Sequence, residues 1–375
     1  MEIKLQAKEL SSRLKMAAKV INTKNSLPIL GDVLLETKND VLLITASDGE
    51  QWLSQKCSTI SYDQEMRLCV PATDFMNAIN NINDQPVTIT IDDATKTITC
   101  DYGNGKFTMP YDDANEFPLA NINNEGAKEF VIDGKKVLKS IEQTGFATAN
   151  DELRPVMNGV HFDFFVDGMV CATSDGHKLA RYKDKSITRE DDGVIPNFTL
   201  PKKPANVLMT ILSALEGDVK LSFNDKAISF NNKDFKLTAR LLEFKYPNYE
   251  SVIPKNNPII ITADKESLVN ALKRVLPMAN DMSNLVELDF KQGQVTISAK
   301  DIDFSKSASE TITCDCDTEI KIGFKGFVLM EILKNINDDN VVIELSEPSR
   351  AGVFYSAFTL TKDEYLSLCM PMVIS

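Results

Sequence analysis

Ser174-Asp175-Gly176-His177-Lys178-Leu179 follows an alternating apolar run, Met169 to Thr173. An earlier stretch has the same arrangement, Ser47-Asp48-Gly49-Glu50-Gln51-Trp52 after Val41 to Thr45. Both read as the tight turn that ends a strand, with Gly free to take positive φ and Asp able to bond its own backbone. Two such turns in one setting make repetition the first thing to test. Pro71 to Ile79 leads into Val87 to Ile91, Pro201 to Leu212 into Val219 to Phe223, and Gly323 to Leu333 into Val341 to Leu345. Each is a short amphipathic helix, an acidic or Asn-rich turn, and an alternating strand. Glu116-Phe117-Pro118 is echoed by Lys245-Tyr246-Pro247. Helices at Leu5 to Ile21, Asp133 to Gly145 and Asp264 to Leu276 open the three units.

The units are each roughly 125 residues long, an ordinary domain size. The boundaries expected are 1–125, 128–254 and 257–375, with short linkers at Asn121 to Lys128 and Pro254 to Pro258. Two helices and about eight strands per unit predict antiparallel sheets with helices on one face, an α+β fold. Hairpins are expected at Lys38-Asn39-Asp40 and Gly103-Asn104-Gly105. The loop Asp184 to Asn197 reads as a solvated, mobile excursion.

Charged residues at 25% and hydrophobic ones at 43% are ordinary for a soluble globular chain. No apolar run is long enough to cross a membrane, and the N-terminus alternates like a strand rather than a signal peptide. The seven Cys contain no Cys-x-x-Cys pair and read as reduced thiols of a cytoplasmic protein. His161 and His177 are the only histidines, and neither has a partner at metal-ligand spacing. His161 alternates within a strand, as a satisfied or exposed strand residue. His177 beside Asp175 suggests a base, yet no Ser, Cys or Thr in a nucleophile setting answers it. Asp301-Ile302-Asp303 lacks the Gly and closing Glu of a calcium loop. A catalytic function is therefore not expected.

The net charge of −13 argues at first against a nucleic-acid partner. Its distribution argues otherwise. In the six predicted helices (5–21, 73–83, 133–145, 201–216, 264–276 and 325–335) basic residues outnumber acidic ones fourteen to eight, so the remainder of the chain is the more acidic part. Solvated helix faces would explain this, because helices favour Lys. The sharper reading is that all six helices line one surface facing a polyanion. Lys15, Lys19, Lys24, Lys136, Lys139, Lys202, Lys203, Lys273 and Arg274 would then be phosphate contacts without sequence preference. A mildly basic lining in an acidic body suits a protein held on DNA by enclosing it.

The chain closely resembles the bacterial DNA polymerase III β-subunit family, the sliding clamps, over essentially its whole length. The carriers are Ser26-Leu27-Pro28-Ile29-Leu30-Gly31, Asn158-Gly159 with Ser174 to Leu179, Tyr246-Pro247-Asn248-Tyr249 with Ile253-Pro254, and Met370-Pro371-Met372. The resemblance implies three similar domains per subunit and a head-to-tail homodimer ring around duplex DNA, helices inward and sheets outward. It implies a processivity factor with no catalysis, metal or cofactor, in the cytoplasm. Its partners would be the polymerase III catalytic subunit, the clamp loader and repair proteins, held through short peptides with Leu and Phe anchors.

By resemblance the peptide pocket comprises Met157, Ser174, Gly176, His177, Lys178, Leu179, Pro247, Val252, Leu368, Met370, Pro371 and Met372. An apolar, Met-rich concavity can repack around different partners. The subunit join is expected to set Phe107 and Met109 against Pro277 and Met278 of the other chain. Some positions depart from the family pattern. Lys300-Asp301-Ile302-Asp303 replaces Ser-Asp-Gly in the third unit, Thr73 and Ser251 stand where relatives often carry a basic residue, and the tail Val373-Ile374-Ser375 lacks one. The rival readings are a repeat-built interaction scaffold that never meets DNA, and a hydrolase using Asp175 and His177.

Overall fold

Each unit opens with a strand whose last residue precedes a helix, and in the third unit that residue is Asp264. Its side chain caps the helix by accepting from the Ser267 amide at 2.7 Å. The computed structural model describes residues 1–22, 24–25, 27–120 and 126–374. Thr23, Ser26, Ser375 and residues 121–125, most of the first predicted linker, lie outside the described residues.

In the first repeat β1 (Glu2–Gln6) leads into α1 (Ala7–Ala17). Then come β2 (Asp32–Lys38), β3 (Val41–Ser47), β4 (Gln51–Tyr62) and β5 (Arg67–Pro71). Helix α2 (Ala72–Asn80) precedes β6 (Pro86–Asp92), β7 (Thr97–Tyr102) and β8 (Gly105–Pro110). The second repeat has the same order: β9 (Lys128–Asp133), α3 (Gly134–Thr144), β10 (Gly159–Phe165), β11 (Gly168–Ser174), β12 (Lys178–Asp184) and β13 (Asn197–Pro201). It continues with α4 (Lys202–Ala214), β14 (Asp218–Phe223), β15 (Ala227–Asn231) and β16 (Phe235–Arg240). The third begins with β17 (Ile259–Asp264), α5 (Lys265–Val275), β18 (Leu285–Lys291), β19 (Gln294–Asp301), β20 (Lys306–Asp315) and β21 (Ile320–Lys325). It ends with α6 (Gly326–Asn335), β22 (Asn340–Leu345), β23 (Gly352–Ser356), β24 (Tyr365–Cys369) and a short β25 (Pro371–Met372).

Among the described residues, the predicted α+β architecture of two helices and about eight antiparallel strands per repeat is thus present three times, with the short β25 added to the third. Helix bounds are tighter than predicted. Leu5 and Gln6 belong to β1, whose alternation puts Ile3 and Leu5 in the core, and Lys19 lies beyond the end of α1. Leu10, Leu14 and Ala17 form the buried face of α1, while Lys8, Ser12 and Lys15 are exposed. Asn39 and Asp40 both take positive φ in the two-residue turn between β2 and β3. The 184–197 loop is tethered rather than free. Arg189 donates from Nε to the Phe164 carbonyl at 2.8 Å and from Nη1 to Asp192 at 2.8 Å.

The chain divides into two compact units, residues 1–138 with 203–241, and 139–202 with 242–375. Sheet pairing explains a division that cuts the second repeat. In the first unit the strand order is β8-β7-β6-β1-β4-β16-β15-β14-β9, with β3, β2 and β5 branching from β4. In the second it is β13-β10-β11-β12-β24-β23-β22-β17-β20-β19-β18-β21-β25. The pairs β4–β16 and β12–β24 join one repeat to the next with full backbone ladders. One sheet of the second repeat is thereby continuous with the first repeat, and its other sheet with the third. Val286, Leu288, Phe290, Leu272, Phe324 and Phe354 centre the second unit's core. Leu5, Leu10, Leu14, Phe75 and Ile89 are buried in the first.

One buried carboxyl has a pH consequence. Asp32, opposite Pro71 at the start of β2, is 7% exposed. Burial and the neighbouring Asp112 push its carboxyl from 3.8 up to about 7. The folded value lies above the unfolded one, so its contribution is fully present below 3.8 and is lost as pH rises towards 7. At 1.36 kcal/mol per pKa unit the loss is at most ~4 kcal/mol. Asp32→Asn should therefore melt higher than the wild type at about pH 8, with the gap shrinking towards about pH 5, in thermal unfolding followed across that range.

Candidate functional site

The Ser-Asp-Gly turns are built alike. Ser47 Oγ accepts from the Gly49 amide at 3.0 Å, and Asp48 Oδ1 from Glu50 and Gln51 at 3.0 and 2.9 Å. Ser174 Oγ accepts from Gly176 at 3.1 Å, and Asp175 Oδ1 from His177 and Lys178 at 2.8 Å each. Gly49 and Gly176 stand at φ +90° and +87°, a region that disfavours a side chain. Each turn then receives one backbone hydrogen bond from the following repeat. The Arg240 amide donates to the Glu50 carbonyl at 2.9 Å, and the Met370 amide to the His177 carbonyl at 2.8 Å.

In the second unit the turn and the chain's final segment bound a cavity of about 290 Å³. His177, Met370, Pro371 and Met372 line it, together with Met282, Ser283, Lys325 and Val328. Next to it in the sheet Leu179 pairs with Leu368, and both are 3% exposed in an apolar cluster with Tyr246, Tyr249 and Val353. Val156 and Ile253 pack on the edge of this cluster. Met157 is buried, Ser174 is half-buried, and Gly176, Pro247 and Val252 are exposed. Lys178 differs from the rest. Strand alternation turns its side chain away from Leu179, and its Nζ pairs with Glu331 of α6 and stands 3.5 Å from Asp175.

The segment that carries Pro247 is pinned through its neighbours Tyr246 and Tyr249. His161 stacks face to face on Tyr246, ring centroids 4.5 Å apart, and donates or accepts at Thr199 Oγ1, 2.9 Å away. Its Nε2 is 3.3 Å from Asp163 Oδ1, and Tyr249 donates its hydroxyl to Asp163 Oδ2 at 2.7 Å. Burial pushes the Tyr246 and Tyr249 phenols well above their ordinary range. His161 is therefore a satisfied core histidine supporting the pocket. Sequence reading missed Met282, Ser283, Lys325 and Val328, since no local pattern marks residues that only strand register brings to the terminal segment.

The predicted phosphate contacts fall into two groups. Lys15, Lys19, Lys24, Lys202 and Lys273 are exposed; Lys136 is half-buried, and the exposed Lys139 places its Nζ 5.4 Å from the Tyr182 ring centroid. Two others are occupied by partners within the fold. Lys203 Nζ donates to Asp48 Oδ2 at 2.6 Å and to the Val20 carbonyl at 2.7 Å. Arg274 makes a two-pronged pair with Glu310, whose carboxyl it holds below the usual range. The proposed join residues Phe107 and Met109 are half-buried on β8, and Pro277 and Met278 are exposed after α5. Phe107 lies edge-on to Phe75 of α2 at 6.5 Å.

A larger cavity of about 700 Å³ in the first unit, lined by Glu9, Arg13, Gln55 and Phe235, gathers none of the predicted peptide-pocket residues. Burial lifts the thiols of Cys57, Cys69 and Cys100 to about 12, unsuited to nucleophilic work at neutral pH. Among the described residues no group of three or more His, Cys, Asp or Glu could hold a metal ion. Likewise, no helix of the described residues is long and apolar enough to cross a membrane.

Three family models match in order along the chain. They are the DNA polymerase III beta subunit N-terminal domain at residues 1–122, the central domain at 131–248 and the C-terminal domain at 250–372. The beta sliding clamp of Pseudomonas putida is 25% identical over 374 residues, covering 99% of this chain and 100% of that protein. The Synechocystis clamp is 27% identical, covering 94% and 95%. Among solved structures, the Pseudomonas aeruginosa DNA polymerase III subunit beta superposes with a TM-score of 0.93 at 24% identity, over 100% of both chains. A P. aeruginosa sliding clamp bound to griselimycin gives the same TM-score, identity and coverage.

Tyr249→Phe should leave Asp163 Oδ2 without its buried donor and destabilise the chain by ~1–3 kcal/mol. A shifted urea midpoint with an unchanged slope would show it.

Proposed function

The chain belongs to the DNA polymerase III beta subunit family, and we propose that it works as a DNA sliding clamp. Two copies join head to tail around duplex DNA, and a pocket on each tethers the replicative polymerase, the clamp loader and repair proteins through short peptides. The observation that carries this is the pair of joints inside the chain. Strand β4 meets β16 with Trp52 opposite Thr238, and β12 meets β24 with Leu179 opposite Leu368. In both, the fourth strand of one repeat accepts the eighth strand of the next.

Among the described residues this series leaves two strands without that pairing, the eighth of the first repeat and the fourth of the third. Strand β8 pairs only with β7, and β20 meets β17 only at its end, through Cys314 and Asp315. An open edge of this kind seeks a partner strand. Ladder partners supply the register. His161 is opposite Ala172, and Ala172 opposite Arg181; Glu287 is opposite Ser298, and Ser298 opposite Ser309. Ser307 thus holds the place of Leu179. The same tracing through β6 and β7 puts Thr108 in the place of Thr238 and Leu368. Ser307 of one copy would face Thr108 of the other, and Ala308 would face Phe107.

The side chains agree. Phe146, one residue past the Gly that follows α3, packs on the third repeat's core, and Pro277 occupies that position after α5. Pro277 and Met278 would accordingly cover Phe107 and Met109 of the second copy. The helix lysines would line the opening, with Asp48 and Glu310 competing for Lys203 and Arg274. Such contacts exchange readily, which suits sliding rather than fixed binding. The role is tethering without catalysis, exercised where the chromosome is, in the cytoplasm. A scaffold that never meets DNA gives the exposed helix lysines no ligand.

With cysteines at both positions, Thr108→Cys and Ser307→Cys should cross-link two copies under mild oxidation. Directly opposed strand residues hold their Cβ atoms ~4.5–5.5 Å apart, within reach of a disulfide after small adjustment. The cross-linked ring should stay on nicked circular DNA and slide off once it is linearised. A species that remains a monomer, or equal retention on both DNA forms, is the contrary result. For the pocket, Met370→Ala should weaken a fluorescent peptide with Leu and Phe anchors about tenfold, as expected of a buried hot spot, without altering dimerisation.

A further inference from the structure

The two joints inside the chain share a closing hydrogen bond, and the joint between copies cannot make it. At the internal joints the donor amides belong to Arg240 and Met370, each two residues beyond Thr238 and Leu368. Two residues beyond Thr108 stands Pro110, which has no N–H. The facing acceptors at the internal joints are the carbonyls of Glu50 and His177. The corresponding residue in the third repeat is Ser305, which takes φ +54° in a turn unlike the other two. The neighbouring Tyr111 amide points the other way, donating to the Lys96 carbonyl at 3.1 Å. The nitrogen of Pro110 is thus the one facing the open edge, where proline is tolerated because no ladder bond of its own sheet is lost.

The outer face of this joint differs too. Trp52 is held under the Phe117-Pro118 segment, donating from Nε1 to the Pro118 carbonyl at 2.8 Å. Leu179 and Leu368 pack with Tyr246 and Tyr249, in and beside the matching Tyr246-Pro247 segment. The matching positions, Ser307 and Thr108, are exposed, and Ser298, Lys300, Ser307 and Ser309 line an open groove of about 530 Å³. Among the described residues no aromatic-Pro segment crosses that face.

We infer that Pro110 keeps the joint between copies one backbone hydrogen bond shorter than the joints within the chain, and thereby sets how long the dimer lasts. The inference rests on the head-to-tail reading given above. Proline at this place also blunts β8 in a free monomer, where an unpaired edge would otherwise template wrong pairing. The joint between copies is then the strand pairing that separates first, while the internal ladders hold.

Pro110→Ala restores the amide without touching the pocket or the basic helices. Subunit exchange, followed by energy transfer between differently labelled copies, should slow about tenfold, since each of the two joints in a ring gains one net hydrogen bond. The new amide at 110 should also be protected from hydrogen exchange in the dimer and unprotected on dilution to monomer. Val at 110 should act as Ala does, which separates the amide from any effect of side-chain size. Unchanged exchange with an unprotected amide overturns the inference. If Thr108→Cys with Ser307→Cys cross-links while Pro110→Ala changes nothing, the joint is right and the role of Pro110 is wrong. If the cysteines fail to cross-link, the register fails and the inference with it.

Discussion

Backbone pairing between the fourth strand of one repeat and the eighth of the next is the constraint on which the structure depends. A β-strand edge left bare exposes a row of donors and acceptors, and three repeats in series produce that exposure at every boundary. The chain satisfies it twice internally, at β4–β16 and β12–β24. Compactness follows these ladders rather than the repeats, so the second repeat shares its two sheets between two units. On the proposed reading, a second copy would cover the two strands, β8 and β20, that this series leaves without such pairing.

The same joints place the functional surface. The Ser-Asp-Gly turn is held by its own side chains, and it leads into the strand to which the next repeat's eighth strand pairs. The second repeat therefore offers His177 where the third delivers Met370, Pro371 and Met372. Beside the cavity, Asp163 pairs with His161 and Tyr249, and His161 stacks on Tyr246, which fixes the apolar cluster around Leu179 and Leu368. Methionine lips on such a wall combine a fixed frame with side chains that can adjust.

The charges follow a related division. A chain of net charge −13 binds DNA weakly from solution, and internal partners further restrain two of its helix cations, Lys203 and Arg274. Weak individual contacts are an advantage when enclosure, not affinity, retains the ligand. On the proposed head-to-tail reading, persistence would depend on the joint between copies, where Ser307 and Thr108 would stand in place of Trp52 and the leucines of the internal joints.

Local chemistry by itself determined the threefold repeat, the alternation of the strands, the buried face of α1 and the two matching turns. All of these depend on residues within a few positions of each other. Motif resemblance extended that to the pocket residues His177 and Met370 to Met372. Helix ends slipped by a few residues because Leu5 suits a buried strand position as well as a helix. The tertiary structure alone decided what depends on distant pairing. Met282, in the turn before β18, and Val328, on α6, meet the terminal segment because β25 pairs with β21. Lys178 turns to Glu331 because its neighbour Leu179 takes the other face, and Lys203 finds Asp48 across a repeat boundary. Register is set by the summed fit of whole strands, and no window of sequence around one residue contains that sum.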